Sequence, residues 1–212
     1  QGIQIFPAPK INKSIFISVQ ASDTDSSEIS SVVAELNSRT YFLNKTTINS
    51  TTAQFYGYVE IPFYASPGNY TIRITAADSS NLNSSSILIF EYLSLIGIEL
   101  DSSSITFNAL PGKTSELIGD SNFSTPNLSV RNIGNSVLDM KIFGTDLASG
   151  NAIINASNIK YTFSNDYNSI FGGTLHYSEE LKDTNLAAGQ SSMIPLSLKL
   201  NVPQSTVPGN YT

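Results

Sequence analysis

Nine asparagines begin N-x-[ST] triplets: Asn12, Asn44, Asn49, Asn69, Asn83, Asn122, Asn127, Asn155 and Asn210, none with Pro in the middle. The chemistry such a triplet supports is attachment of a glycan to the asparagine amide nitrogen, on the surface of a secreted protein. Chance placement gives about five triplets in a chain this rich in Asn, Ser and Thr, so nine is about a twofold excess. A second cluster is Asp23-Thr24-Asp25-Ser26-Ser27-Glu28, whose oxygen side chains at 23, 25 and 27 resemble the opening of a calcium loop. Glu28 stands at the sixth position, where an EF-hand needs Gly, so the segment is not an EF-hand. The plainer account is a solvated turn whose Asp and Ser side chains cap their own backbone.

The remaining chemistry-bearing residues are sparse. His176 is the only histidine, and there is no cysteine. A lone histidine makes no multi-histidine metal site, and thiol catalysis is excluded. His176 follows a Gly-rich stretch, Phe171-Gly172-Gly173-Thr174, and is expected in solvent. Glycoside hydrolysis needs two carboxylates facing one another. Glu60, Glu91, Glu116, Glu179 and Glu180 are instead spread along the chain, and the last two, being neighbours, point to opposite sides if extended. No enzymatic role is expected. The aromatics Phe55, Tyr56, Tyr58, Phe63 and Tyr64 could form a platform for carbohydrate stacking. Alternation places Tyr56 and Tyr58 on one face and Phe55 on the other, so core packing accounts for about half of them.

The elements that position these residues read as strands. Ile15–Val19, Ser31–Leu36, Phe55–Ile61, Tyr70–Ala76 and Ile87–Tyr92 are short, rich in β-branched and aromatic residues, and bounded by Ser, Asn, Asp, Gly or Pro. Tyr70, Ile72, Ile74 and Ala76 fall on one face, and Thr71, Arg73 and Thr75 on the other, as in antiparallel sheets with one wet side. A second run follows at Ile98–Leu100, Ile105–Phe107, Leu128–Val130, Val137–Phe143, Ile159–Phe163 and Ile194–Val202. No helical stripe of 11 residues or more competes with it, and Asp183–Ser191 predicts at most one short turn. The pattern predicts β-sandwiches.

Ser66-Pro67-Gly68-Asn69-Tyr70-Thr71 recurs as Val207-Pro208-Gly209-Asn210-Tyr211-Thr212. Pro and Gly make a tight turn, and Asn-Tyr-Thr then enters a strand with Tyr inward. After the first copy the chain runs on through a strand, a Ser/Asn-rich turn and a last strand. After the second it does not. The expected division is therefore one sandwich over 1–95 and a second over 96–212, the second lacking its final strand or strands. The junction carries no Gly/Ser/Pro linker and is expected to be semi-rigid.

Composition bounds the setting. The 212 residues carry a net charge of −6 and are 40% hydrophobic and 13% charged. That is enough apolar residue for packed cores. The lack of excess Lys and Arg argues against a nucleic-acid partner. No stretch of about 18 apolar residues offers a membrane span. No secretory leader precedes Gln1, so either it has been removed or this is an internal piece of a longer chain, which is the expectation favoured. Secreted animal domains lean on disulfides, so a cysteine-free extracellular chain fits a prokaryotic surface better.

Several segments carry a resemblance. IFISVQASDTDSSEISSVVAEL, from Ile15 to Leu36, and SPGNYTIRITAADSSNLNSS, from Ser66 to Ser85, resemble the early and late strands of immunoglobulin-like (Ig-like) modules in prokaryotic surface proteins. In the second half, Leu110-Pro111-Gly112-Lys113-Thr114, Asn132-Ile133-Gly134-Asn135, Lys141 to Leu147 (KIFGTDL) and the closing PGNYT resemble repeated Ig-like modules of archaeal surface-layer and envelope glycoproteins. The resemblance implies two tandem Ig-like antiparallel β-sandwiches, with a structural or adhesive role outside the cell.

Placed on that topology, the loop after the second strand shares a pole with the loop before the last. Asp23, Asp25 and Asp78 would then meet, and could hold a structural Ca²⁺. The function expected is a glycosylated, non-catalytic module of a surface layer or extracellular filament. The alternative is an adhesin or carbohydrate-binding module of a secreted protein. The partners expected are copies of the chain or other envelope proteins. An unfinished second sandwich would leave a groove that the chain's own continuation could fill, or a neighbour's strand from residues 2–7.

Overall fold

A computed structural model describes residues 2–23, 28–80 and 82–212. The chain divides into two units, Gln1–Leu95 with Gly134–Ser136, and Ile96–Ile133 with Val137–Thr212. Both are built from β-strands. Among the described residues the sole helical element is one 3₁₀ turn, Ala156–Asn158.

Unit 1 contains β1 (Ile3–Ile5), β2 (Lys13–Ser22), β3 (Ile29–Leu36), β4 (Arg39–Phe42), β5 (Asn44–Thr47), β6 (Thr52–Ile61), β7 (Gly68–Asp78) and β8 (Asn83–Tyr92). One sheet runs β1-β8-β7-β3-β4 and the other β2-β6-β5. Every pairing is antiparallel except that of β1 with β8, which is parallel. Alternation on β6 explains the layering. Ala53, Phe55, Gly57, Val59 and Ile61 are buried, and the residues between them face outward. They join Ile17 of β2, Val32, Ala34 and Leu36 of β3, Ile72 and Ile74 of β7, and Phe90 and Tyr92 of β8 in one core. The two sheets therefore form a sandwich with a single apolar filling.

Unit 2 contains β9 (Ile98–Leu100), β10 (Thr114–Leu117), β11 (Ser129–Asn132), β12 (Leu138–Ile142), β13 (Leu147–Ser149), β14 (Ala152–Ile154), β15 (Ile159–Thr162), β16 (Gly172–Thr174), β17 (Glu180–Leu186), β18 (Met193–Pro195) and β19 (Ser197–Asn201). The main sheets run β10-β19-β15-β16 and β18-β11-β9, with the pairs β12-β17 and β13-β14 beside them. Their buried residues again form one core, from Val130, Met140, Ile154, Tyr161, Leu186 and Leu198 among others.

Two local expectations fail. Ile105–Phe107 is not a strand; its apolar pattern serves packing, because Phe107 lies half-buried against the core of unit 2. Asp183–Leu186 is the end of β17, not a helical turn, because pairing with β12 overrides local preference.

The repeated PGNYT segment does the same local work twice. The Tyr70 hydroxyl donates to the Ser66 carbonyl at 2.7 Å, and the Tyr211 hydroxyl to the Val207 carbonyl at 2.7 Å. Each bond spans four residues and ties the tyrosine back across its own Pro-Gly bend. Tyr70 then stacks on Phe90 with ring centroids 5.6 Å apart.

Candidate functional site

All nine triplet asparagines are exposed. Topology explains this. Asn69 is the second residue of β7, Asn83 opens β8, Asn44 opens β5, and the others sit outside the strands. In Asn12, Asn49 and Asn122 the side-chain Oδ1 accepts a backbone N–H, from Phe63, Thr51 and Ser124 respectively. The amide nitrogen, the atom that would carry a glycan, is therefore the one turned away from that bond. Asn127 instead donates from Nδ2 to Asp120 at 3.1 Å, within a loop tied together by the Asp120 carboxylate. That carboxylate also accepts from the Thr125 hydroxyl at 2.6 Å, and this bond first of all holds its pKa below the usual carboxylate range.

Asparagines outside the triplets include the two buried ones. Asn132 donates from Nδ2 to the Leu186 and Ala187 carbonyls, both at 3.1 Å. Asn135 donates to the Leu93 carbonyl at 2.9 Å and accepts from the Leu95 amide at 2.6 Å.

The outward face of the β2-β6-β5 sheet carries Phe16, Tyr56 and Tyr58 in the open. Phe55 and Phe63, from the same aromatic run, are core residues. Tyr64 packs edge-on against Phe63. Phe16 escaped the sequence reading, although the alternation of Ile15-Phe16-Ile17 already sets it on the opposite face from its neighbours. Only the register, which pairs Phe16 with Tyr58, joins it to the tyrosines.

Asp23 and Asp78 line one cavity of about 700 Å³ at the pole of unit 1, with Val19, Val32, Ile74 and Ser84 among its walls. Asp25 lies outside the described residues. Asp78 is buried, and its Oδ1 accepts the Ser80 and Leu82 amides, both at 2.8 Å. This is the capping role open to any Asp in a turn. No group of three or more His, Cys, Asp or Glu able to hold a metal is present among the described residues.

The acidic residues are distributed over separate partners. Glu116 pairs with Lys199 at 2.6 Å, Glu179 with Lys141 at 3.1 Å, and Glu180 with Lys182 at 2.7 Å. Glu91 accepts from Gln4 at 2.7 Å. Glu180 also accepts from the buried Tyr161 hydroxyl at 2.7 Å. The Lys182 bond first, then Tyr161, holds its carboxyl below the ordinary range. His176 is exposed, just after β16.

Unit 2 has an apolar cavity of about 540 Å³ lined by Leu147, Ile154, Ile159, Leu198, Leu200 and Tyr211 with others. Along it Thr212 exchanges both backbone bonds with Ala148, at 3.0 and 3.1 Å. In unit 1, Ile3–Ile5 of the segment considered as a strand donor is paired with β8 of its own unit. Among the described residues no helix is long and apolar enough to cross a membrane.

No family model matches the chain, and no curated protein matches it. Among solved structures it is similar to the secreted serine protease VesC from Vibrio cholerae at a TM-score of 0.26 and 10% identity, over 98% of this chain and 47% of that one. It is similar to a chain described as BspA_C_WT at a TM-score of 0.30 and 7% identity, over 94% of this chain and 85% of that one. The chain spans less than half of the VesC chain. Likenesses this distant carry no argument about fold or function.

Proposed function

We propose that this chain is a glycosylated, non-catalytic building module of a prokaryotic, archaeal-type cell surface, part of a surface layer or extracellular filament. The observation that carries the reading is the exposure of every triplet asparagine, while Asn132 and Asn135, which begin no triplet, are the buried ones. An asparagine needed for the core cannot carry a glycan, and none of the nine is so used. Glycans on outward strands would also block edge-to-edge association of open sheets.

Two features support Ig-like modules. In unit 1 the first strand joins the last in parallel, and the second, sixth and fifth strands make the facing sheet. That order is the one immunoglobulin-type sandwiches use. The bonds of Tyr70 and Tyr211 to carbonyls four residues upstream follow the tyrosine corner of such folds. The neighbours proposed are copies of the chain or other envelope proteins. A strand donated from residues 2–7 would first have to leave β8.

The adhesive alternative draws on one observation, the exposed Phe16, Tyr56 and Tyr58. Brief protease treatment of intact source cells separates a surface module from an intracellular protein. Peptides of this chain released into the supernatant before lysis support the proposal. Peptides found only after lysis overturn it.

A further inference from the structure

Phe16, Tyr56 and Tyr58 are 55%, 40% and 62% exposed on the outward face of the β2-β6-β5 sheet. The core does not need them: the inward residues of the same strands, Ile17, Phe55 and Val59, already fill it. Phe16 stands opposite Tyr58, with ring centroids 5.3 Å apart and planes tilted by 57°. Tyr56 stands opposite Ser18 on one side and Asn44 on the other. Residues paired across antiparallel strands share a face with Cβ atoms about 4.5–5.5 Å apart, and diagonal neighbours lie about 7–8 Å apart. Asn44, Tyr56 and Ser18 thus form one cross-strand row, and Tyr58 and Phe16 the next.

Asn44 begins the triplet Asn44-Lys45-Thr46. Its middle residue turns away, because Lys45 Nζ donates to Glu28 at 2.5 Å and to the Ile29 carbonyl at 2.6 Å. Asn44 and Thr46 both remain exposed on the face that carries the rings. Beside them Gln54 donates to the Ser18 hydroxyl at 2.7 Å, which adds a polar margin of amide and hydroxyl groups. An apolar strip with polar tips and a polar margin matches the two surfaces of a sugar, its C–H face and its hydroxyl rim.

We propose that this strip is the seat of the glycan carried by Asn44, with the first sugar lying on Tyr56 and the chain extending over Tyr58 and Phe16. The inference rests on the reading of the triplets as glycosylated. Attachment one strand away makes the contact intramolecular and gives it a high effective concentration, which a free sugar or a second protein lacks. A glycan leaving Asn44 would also occupy the approach to the strip. The other strand-borne triplets face no aromatic ring across their strands: Asn69 stands opposite Glu91, and Asn83 opposite Ala77.

The test uses the whole chain made in a host that attaches N-glycans. Proton spectra of the glycoprotein are expected to show upfield ring-current shifts for the Asn44 sugar and cross-relaxation with the Tyr56 ring, both lost in Tyr56→Ser. Removing the triplet by Thr46→Ala is expected to lower the melting temperature of unit 1 by about 4 °C. The same substitution in a Tyr56→Ser, Tyr58→Ser background is expected to change it by less than about 1 °C. A glycan present on Asn44 with neither ring shifts nor this coupling overturns the seat and leaves glycosylation standing. So does a bare Asn44 in a protein glycosylated elsewhere. Nine bare asparagines overturn both readings. A glycosylated dimer dispersed by Tyr58→Ser would assign the strip to a second copy and overturn the proposal as well.

Discussion

Asn135 and Tyr70 show how single polar groups fix turns in this chain. Asn135 is buried, exchanges side-chain bonds with Leu93 and Leu95, and donates its own amide to the Leu95 carbonyl at 3.0 Å. Truncation strands a buried donor and acceptor. Asn135→Ala is expected to destabilise the protein by about 1–3 kcal/mol, read from urea unfolding. A change below about 0.5 kcal/mol would mean that water replaces the side chain. Tyr70 keeps its ring contacts in Tyr70→Phe and loses only the bond to Ser66. The expected loss is about 0.5–1.5 kcal/mol in the unit 1 transition, and an unchanged midpoint would show that the hydroxyl bond is idle.

Elements were more legible than contacts. Alternation in FYGYVEI and YTIRITA located β6 and β7 and told their two faces apart, because the strands bury one side only. The PGNYT repeat announced an inward tyrosine in both copies, but not its hydroxyl bond, and at Pro67 and Pro208 the chain makes a bend rather than the tight turn expected. The segment Ile105–Phe107, apolar at both ends, deceived, since periodicity does not distinguish a strand from a packed loop. For the site, the triplets could be read directly, whereas the aromatic strip could not. It depends on which strands are neighbours, and pairing register is a long-range property that local sequence does not state.

Close approach between elements was equally hidden. At buried Gly119 a Cβ would come closer than 3.0 Å to three backbone atoms, the Leu128 carbonyl oxygen and both Leu196 N and O. Backbone cannot step aside as a flexible side chain can. Gly119→Ala is therefore expected to cost about 1–3 kcal/mol in unit 2. Gly2→Ala, with nothing within 4 Å, is the matched control and should leave the midpoint unchanged. Equal effects from the two would remove the packing argument.

Across the whole molecule, cysteine is absent and stability rests on the two apolar cores. Burial holds several tyrosines in the neutral form. Burial, then the neighbouring Tyr70, pushes Tyr92 up to about 12. Burial, then Glu116, pushes Tyr167 up to about 12. Tyr161 is pushed up too, by burial and then by its bond to Glu180. An unfolded tyrosine gives up its proton near pH 10, so between about pH 10 and 12 the unfolded chain binds fewer protons than the folded one. Stability from this source is complete below about pH 10 and declines as pH rises toward 12. Melting temperatures should therefore hold steady from about pH 8 to 9.5 and fall beyond 10, with tyrosinate absorbance rising as the chain unfolds. Ionisation of Tyr92 and Tyr167 in the still-folded protein within that window would contradict the assignment.

The nine exposed triplets connect this scaffold to its proposed role, and they are most directly tested by intact mass and glycopeptide mapping of the protein isolated from its source. The account predicts glycans on several of the nine asparagines and none on Asn132 or Asn135. A native protein whose nine sites are all unmodified would contradict it.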